Sequence, residues 1–372
     1  SSCWDNLELN KVSLVLGVGL DADEESEDTT FTFQLNKSSP AGSTSKSGGG
    51  GEESTKYYNI ETKAKGLHSA VSNVNLMLPR NLFLEHNQFI LVGRDQAKKG
   101  LEDLLDAFAR EIFLRAEVWV VVADEKASDV LSAELEQEKV VASGVSKMLD
   151  DLSEQNKVFQ RSKFYHFMSC SKTGEAASLL PIMAKKKNVK SDVLSVEGLA
   201  IFEKFKMVGE LDKKQSQAYS MIMGNYVDTA DLELKMEKGY TFLNAIRIKS
   251  KITPEFDEQG KPAIKVKISF AANTGEIQGI EDMTPMEIQK YVEKEAKRVY
   301  EKEFMDCIKY TQEIGYDVFK FGEAFHKAHQ KKWKTMEKDW KETYKDLKVE
   351  LTVEPQIYSV GNIDSSLAKK EH

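Results

Sequence analysis

Two glycines near the start of the chain have a spacing that could serve a phosphate group. Gly17 and Gly19 in "GVGLD" form a Gly-x-Gly pair, which lets a backbone approach a dinucleotide closely. Such a site needs the glycine turn to open a helix, but the acidic stretch "ADEESEDTTF" follows here. The sequence also contains no G-x-x-x-x-G-K-S/T phosphate loop and no G-x-S-x-G nucleophile elbow. We therefore expect no bound cofactor.

One pair of histidines could in principle bind a metal. His326 and His329 form a His-x-x-His pair on a predicted helix, and this spacing brings both rings to one side. No cysteine or carboxylate pattern completes a zinc set, so we expect surface or packing histidines and no metal. No histidine is paired with a nucleophile, and the 60 Asp and Glu residues single out no acid–base dyad. The sequence predicts no catalytic residue, and we expect a protein that is not an enzyme.

The three cysteines fall into two kinds. Cys170 in "FYHFMSC" and Cys307 in "KEFMDCIKY" lie among apolar residues, which predicts two buried thiols. A Cys170–Cys307 disulfide is the alternative, and the sequence does not decide between them. Cys3 has no such surroundings. An odd number of widely spaced cysteines does not predict a disulfide framework.

Cys3 could carry a lipid. A bacterial lipoprotein begins, once its signal peptide is removed, with a cysteine that bears a diacylglycerol, and small residues precede that cysteine. Ser1 and Ser2 fit these positions. Two acyl chains, at about 0.8 kcal/mol per buried CH2, would anchor a protein durably. The alternative is an ordinary terminal cysteine, and the residues at this end alone leave both interpretations open.

Composition limits the classes of protein that this chain can belong to. A chain of 372 residues is longer than a single hydrophobic core usually organises, so more than one domain is expected. Its 41% hydrophobic and 30% charged residues are typical of a folded protein. A net charge of −8 argues against a nucleic-acid-binding protein, because no basic excess is present to neutralise phosphates. Apolar runs such as "VSLVLGVGL" and "VWVVVA" are far shorter than the ~20 residues of a membrane span.

The first part of the chain, residues 1–188, alternates predicted strands with short helices. This alternation predicts a mixed α/β domain with a partly parallel sheet. "TTFTFQL" has apolar residues at every second position, which predicts a half-buried strand. The Ser- and Gly-rich segment 37–55 has nothing to bury and predicts a flexible loop. The Lys-rich "AKKKNVKSD" marks a domain boundary.

Two further domains are expected after that boundary. Residues 189–228 predict a small middle module, with a hairpin in "VEGLAIFEKFKMVGEL" and a helix that Asp212 would cap. Residues 229–372 predict an antiparallel sheet packed by helices, the longest of which ends near Gly315. The predicted fold class is therefore α+β, with three domains, mixed sheets and covering helices.

A stripe of large side chains crosses the third domain. Trp333, Met336, Trp340 and Tyr344 recur at steps of three and four, so a helix would place them on one face. Such a face either docks a partner or packs against the protein's own core. We favour the second interpretation, in which the helix covers the C-terminal sheet.

The chain resembles the Ger(x)C family, the C-subunit lipoproteins of spore germinant receptors. "CWDNLELN" with "LVLGVGLD" is similar to the start of that family, with its Cys-Trp-Asp and Gly-x-Gly-x-Asp patterns. Three later segments match its first domain, centre and end: "FILVGRDQAKKGLEDLLDAFAREIFLRAEVWVVVADEKASDVL", "VEGLAIFEKFKMVGELD" and "GYDVFKFGEAFHKAHQKKW". The order and spacing of the pieces carry the resemblance over nearly the whole chain. Segment 37–55 looks longer than is usual in the family.

The resemblance implies a role in germination. Members are lipoproteins, made with a signal peptide and carrying acyl chains such as palmitate, on the outer face of the inner spore membrane. They assemble with two integral membrane subunits into a receptor for nutrient germinants. Transferred to this sequence, Cys3 is the lipid site, and Trp4 and Asp5 belong to the same motif. Trp4 would either rest at the membrane interface or pack on the first domain.

Two other classes compete with this assignment. An extracytoplasmic solute-binding lipoprotein would have two similar lobes around a ligand cleft, but the halves of this sequence show no internal repetition. A lipid-anchored cell-wall hydrolase would need an acid–base pair. Calorimetry with amino acids and sugars tests the first alternative, and a peptidoglycan digestion assay tests the second.

We expect residues 38–54 to be dispensable for stability. Ordering a segment costs ~1–2 kcal/mol per residue, and nothing in this one can offset that cost. Replacing it with a short Gly/Ser linker should leave the melting temperature within a couple of degrees, about 0.5 kcal/mol or less. A large drop in the melting temperature would instead mean that the segment packs on the domain.

Overall fold

The computed structural model describes residues 12–37, 57–110, 117–136, 138, 140–173, 177–280 and 282–359. The chain forms two compact units, where the sequence predicted three domains. The first comprises Ser1–Ser153 and Phe159–Lys213, and the second Glu154–Val158 and Lys214–His372. The motif of Cys3, Trp4 and Asp5 lies outside the described residues, as does the predicted loop 37–55 apart from its first residue.

The first unit is built on a nine-stranded sheet of order β3-β2-β1-β5-β6-β7-β8-β9, with β4 paired to β1 at the side. Its strands are β1 (Val12–Ala22), β2 (Thr29–Asn36), β3 (Tyr57–Ala64), β4 (Asn81–Phe83), β5 (Phe89–Val92), β6 (Trp119–Ala123), β7 (Ser178–Lys187), β8 (Asp192–Glu203) and β9 (Lys206–Asp212). The helices in this part of the chain are α1 (Leu67–Asn75), α2 (Arg94–Lys99), α3 (Glu102–Arg110), α4 (Ala127–Leu131), α5 (Val141–Gln155), α6 (Lys157–Gln160) and α7 (Phe164–Thr173).

The centre of this sheet is parallel, as the sequence predicted. β1, β5, β6 and β7 pair in parallel, while β2, β3, β8 and β9 extend the sheet by antiparallel pairing. The short strands β5 and β6 are buried at every position. Continuous apolar runs of this kind are typical of parallel strands whose two faces are both covered.

The expectation that β2 is half-buried is wrong. Its apolar face is buried, and so are Thr32 and Gln34 on the opposite face. The Gln34 amide donates to the carbonyl of Leu131 at 3.0 Å and accepts from the amide of Ala142 at 2.9 Å. Because α4 and α5 supply these partners, a polar side chain can be buried here at little cost.

The predicted hairpin at the centre of the chain is present, but the middle module 189–228 is divided between the two units. β8 and β9 complete the first sheet, because β8 also pairs with β7. The Lys-rich stretch therefore lies in a β-hairpin within the first sheet and does not separate two domains. The helix that follows, α8 (Lys213–Ile222), belongs to the second unit from its second residue onwards.

The second unit contains a four-stranded sheet of order β10-β11-β12-β13 and a group of helices. Its strands are β10 (Thr229–Lys235), β11 (Tyr240–Phe256), β12 (Pro262–Gln278) and β13 (Lys348–Ser359). Besides α8, its helices are α9 (Pro285–Ile314), α10 (Phe321–Ala328), α11 (Gln330–Met336) and α12 (Trp340–Lys345), with a 3-10 turn at Glu337–Asp339.

The expected antiparallel pairing holds for three strands of this sheet, whereas β13 is parallel to β12. The reason lies in the connection between them. Helices α9 to α12 form a long crossover, which returns the chain to the end of the sheet where β12 begins, and parallel pairing requires such a crossover.

Helix α9 has strong end signals, and its predicted end at Gly315 is confirmed. Thr284 and Glu287 form a capping box around Pro285 at the first turn. Gly315 closes the helix with φ of 76°, a left-handed conformation that glycine adopts without a steric penalty.

The outer edge of β13 is covered by side chains of α9. The carboxylates of Glu301 and Glu293 accept hydrogen bonds from the amides of Val353 at 3.1 Å and Ile357 at 2.9 Å. Pro355, midway between them, has no N–H to donate. From residue 353 to residue 357 the outer edge of β13 therefore offers no free backbone donor, which disfavours pairing with a further strand there.

One ion cluster in the first unit predicts a pH-dependent stability. Glu197 lies 2.5 Å from Lys186 and 3.1 Å from Lys213, and the hydroxyl of Ser195 donates to it. Partial burial raises the pKa of the Glu197 carboxyl, but the hydrogen bonds from Lys186, Ser195 and Lys213 outweigh it and lower the pKa to about 2. The ionised carboxylate therefore stabilises the folded state above its ordinary pKa near 4.5, and this stabilisation is lost as the pH falls towards 2.

We expect Glu197→Gln to lower the free energy of unfolding by about 1 kcal/mol near neutral pH, because the site is partly exposed. The difference from wild type should shrink below the ordinary pKa of Glu and vanish near pH 2. Calorimetric melting across this range measures it. Glu125→Gln, at an exposed carboxylate with no ion pair to a described residue, is the control. An unchanged difference at all pH values would contradict the role of the carboxylate charge.

Candidate functional site

The Gly-x-Gly-x-Asp motif lies in β1, and its glycines serve packing. A Cβ atom on Gly17 would lie 2.4 Å from Cε1 of Phe89, and one on Gly19 would lie 2.7 Å from Cδ1 of Leu131. Both distances are far below van der Waals contact. The glycines therefore let a buried ring and helix α4 lie directly against the strand.

The aspartate of the motif fixes the start of α4. The Asp21 carboxylate accepts hydrogen bonds from the amides of Ala127 at 2.7 Å and Ser128 at 3.0 Å. Burial raises the pKa of Asp21, and these hydrogen bonds oppose the rise. A Cβ atom on Gly93 would lie 2.1 Å from the same carboxylate. The end of β5 can therefore approach Asp21 only because residue 93 is a glycine. The motif thus joins β1, β5 and α4.

An ion network lies where the parallel strands β5 and β6 end. The Arg94 guanidinium contacts the Asp124 carboxylate at 2.5 Å, the Asp124 carbonyl at 2.5 Å and the Glu210 carboxylate. The carboxyl ends of parallel strands are the usual ligand-binding edge of α/β sheets. Here the arginine instead links the ends of these strands to β9. The sequence did not predict this role of Arg94 and Asp124. An aspartate directly after the strand "WVVVA" could have indicated a polar contact at the end of the strand.

The second unit contains an aromatic cluster formed by Phe325, Trp333, Trp340 and Tyr344. Ring centroids of the two tryptophans are 5.2 Å apart, and Trp340 lies 5.6 Å from Phe325 and 6.4 Å from Tyr344. A Cβ atom on Gly322 would lie 2.8 Å from both indoles. The cluster therefore packs directly on the backbone of α10.

Asp317 connects this cluster to the start of α10. Its carboxylate accepts from the amides of Phe321 at 3.0 Å and Gly322 at 2.8 Å, and from Nε1 of Trp340 at 3.0 Å. Burial raises the pKa of Asp317, against the opposing effect of these donors. A single carboxylate thus caps the helix and orients the indole. Sequence reasoning did not identify Asp317, although an acidic residue just before an apolar helix is a cap signal.

The predicted inward orientation of the aromatic stripe is confirmed. Trp333 and Tyr344 are buried, and Met336 and Trp340 are half-buried. The surface that the stripe covers includes the helices α9 and α10, which the sequence did not predict. The hydroxyls of Tyr344 and Thr311 of α9 lie 2.6 Å apart, and the indoles pack on α10.

The histidines are packing and surface residues, as predicted. His329 lies with Nε2 3.3 Å from the carbonyl of Pro254 and its ring 5.1 Å from that of Phe256. His326 is exposed and stacks on Trp333. Over the described ranges, no group of three or more His, Cys, Asp or Glu residues is placed to hold a metal ion.

One of the two predicted buried thiols is exposed. Cys307 is buried and donates to the carbonyl of Gln215, whereas Cys170 is exposed, and neither forms a disulfide. In α7 the buried positions are Phe164, Phe167, Met168 and Ser171, which leaves Cys170 on the solvent side. The prediction failed because apolar neighbours in sequence do not share a face of a helix.

The helices within the described ranges include none with an apolar stretch long enough to cross a membrane.

Comparisons with known proteins give one consistent result. Residues 5–185 match the family described as spore germination protein N-terminal domain, and residues 197–361 match the family described as spore germination B3/GerAC like, C-terminal. Spore germination protein KC of Bacillus subtilis is 22% identical, over 96% of this chain and 92% of its own length. GerQC of Bacillus cereus is 24% identical, over 84% of this chain and 85% of its own length. The crystal structure of the GerBC protein matches with a TM-score of 0.60 at 16% identity, over 92% of this chain and 96% of that one, which shows a shared fold.

The aromatic cluster yields a stability prediction. We expect Trp340→Ala to lower the free energy of unfolding of the second unit by about 3 kcal/mol, since it leaves a cavity and removes the indole donor from Asp317. Trp340→Phe keeps a ring but not the donor, and should cost roughly half as much. Urea unfolding followed by tryptophan fluorescence measures both. Lys338→Ala, on the exposed side of the same segment, should be close to neutral. A Trp340→Ala protein as stable as wild type would contradict the packing role.

Proposed function

The chain belongs to the GerAC-like family of spore germination proteins, and we propose that it is the lipid-anchored, non-enzymatic C subunit of a nutrient germinant receptor. The observation that carries this proposal is the continuity of the match, with both family regions in order from residue 5 to residue 361. The relative GerQC aligns with this chain along most of its own length. A role in germination is therefore a property of the whole chain and not of one borrowed domain.

Attachment through Cys3 is the second element of the proposal. The cysteine stands two residues before the first family match, and Ser1 and Ser2 provide the small side chains that a lipoprotein processing site needs. A diacylglycerol on its sulfur would hold the protein at the outer face of the inner spore membrane. There it would assemble with two integral membrane subunits.

A non-enzymatic role agrees with how the motif residues are used. Asp21 and Asp317 each accept hydrogen bonds from the amides at the start of a helix. Arg94 bridges two carboxylates of its own unit. Groups engaged in this way support the fold and are poorly placed to attack a substrate. We propose that the protein works through its surfaces, as a receptor component.

The anchor can be tested in the sporulating host, from the full gene. We expect Cys3→Ala to abolish the diacylglycerol-bearing N-terminal peptide in mass spectrometry, and to release the protein from the membrane fraction on washing with salt. Cys170→Ala is the matched control, because it removes an exposed thiol outside the motif. It should leave the lipid and the membrane association unchanged.

Two results would contradict the proposal. If wild-type protein carries no lipid on Cys3, the anchor is absent. If the Cys3→Ala protein is still fully retained after the salt wash and still supports germination, contacts with partner subunits hold the protein and the lipid is secondary.

A further inference from the structure

A line of lysines runs along the exposed side of the segment from α11 to α12. Its members, which we call the basic stripe, are Lys331, Lys334, Lys338, Lys341 and Lys345. Their steps of three and four place them on one face of a helix, and all five are exposed. Trp333 and Trp340 point to the opposite side, into the aromatic cluster.

The positive charge of this surface is unusual for the protein. The chain has a net charge of −8, yet no carboxylate lies between consecutive lysines on this face. Glu337 and Glu342 border the stripe on its two sides, and Glu342 pairs with Lys345 at 2.8 Å. On α9, by contrast, Lys290, Lys294 and Lys297 share a face with Glu293. Unlike this face of α9, the basic stripe consists of lysines alone.

Three of the five ammonium groups are uncommitted. Lys341 lies with Nζ 4.3 Å from the ring centroid of Tyr316, and Lys345 is paired with Glu342. Lys331, Lys334 and Lys338 form no ion pair or hydrogen bond through Nζ with any residue in the described ranges. Their charge is therefore available to a partner outside the chain.

We propose that the basic stripe docks on a surface of anionic phospholipids. Lysine is a point charge on a flexible stem, and each lysine near an anionic bilayer contributes about a fivefold gain in affinity. The proposal rests on the proposed function in one respect, that a membrane lies near the protein. The charge pattern itself is observed in the structure. The acidic remainder of the protein is screened beyond a Debye length of about 8 Å, so it need not repel the stripe from the bilayer.

The chemistry of the stripe favours a bilayer over an acidic protein. Protein interfaces are enriched in aromatic residues and arginine and depleted in lysine, and their affinity depends on a few buried anchors. The stripe contains no arginine and no aromatic residue, because the aromatic side chains of this segment pack inwards. A row of lysines without such anchors suits a diffuse layer of phosphates.

Vesicle co-sedimentation of the purified, lipid-free full chain tests the proposal. We expect binding to vesicles that mix phosphatidylglycerol with phosphatidylcholine, no binding to phosphatidylcholine alone, and loss of binding at high salt. The triple variant Lys331→Gln, Lys334→Gln and Lys338→Gln should bind on the order of 100-fold more weakly. The control variant Lys290→Gln, Lys294→Gln and Lys297→Gln removes the same charge from α9 and should change affinity by no more than about threefold. Equal melting temperatures would show that both variants fold.

Three results would overturn the proposal. The wild-type chain does not bind anionic vesicles, or the two triple variants lose affinity equally, or the stripe binds a polyglutamate peptide while vesicle binding is independent of its lysines. The last result would identify an acidic protein as the partner. Because the chain in this assay carries no lipid, failure of the Cys3 anchor would leave these outcomes unchanged, and the two proposals fail separately.

Discussion

Both units depend on the same interaction, a carboxylate placed against the free amides at the start of a helix. Helices of five and eight residues, such as α4 and α10, are too short to be stable alone. Asp21 and Asp317 supply acceptors for their first N–H groups, and each carboxylate also connects its helix to another element. Asp21 lies in β1, and Asp317 holds Trp340. The position of the helix and the packing of its neighbours are therefore fixed together. Removal of either carboxylate would leave buried amides without partners.

This use of charged groups explains why the most distinctive motifs of the chain are structural. The Gly-x-Gly-x-Asp pattern looks like part of a nucleotide site, but its glycines accommodate a phenylalanine ring and a helix. The row of aromatic residues looks like a docking face, but the two indoles cover the backbone of α10. Asp21, Arg94 and Asp317, which could act on a ligand, are engaged in helix caps and ion pairs. The basic stripe, by contrast, lies on the surface and is available for recognition.

The second sheet shows how a long helix serves both core and edge. One side of α9 buries apolar residues such as Phe304 and Ile308. Glu293 and Glu301 lie eight residues apart on α9 and reach the amides of β13. Within the described residues β13 pairs with β12 alone, in parallel, after the long crossover. The two carboxylates and Pro355 block the middle of that edge, which reduces its tendency to pair with another chain.

Local signals in the sequence determined the features that depend on near neighbours. The ends of α9, the inward face of the aromatic stripe and the β8–β9 hairpin follow from caps and periodicity over a few residues. The resemblance of ordered motifs determined the family. Contacts between distant segments decided the rest. Gln34 is buried because α4 and α5 pack over β2, and Cys170 is exposed because four other positions of α7 face the core. β8 joins the first sheet because β7 is its partner. β13 runs parallel to β12 because a long crossover connects the two strands. These outcomes depend on which segments meet, and the sequence of one strand or helix does not contain that information.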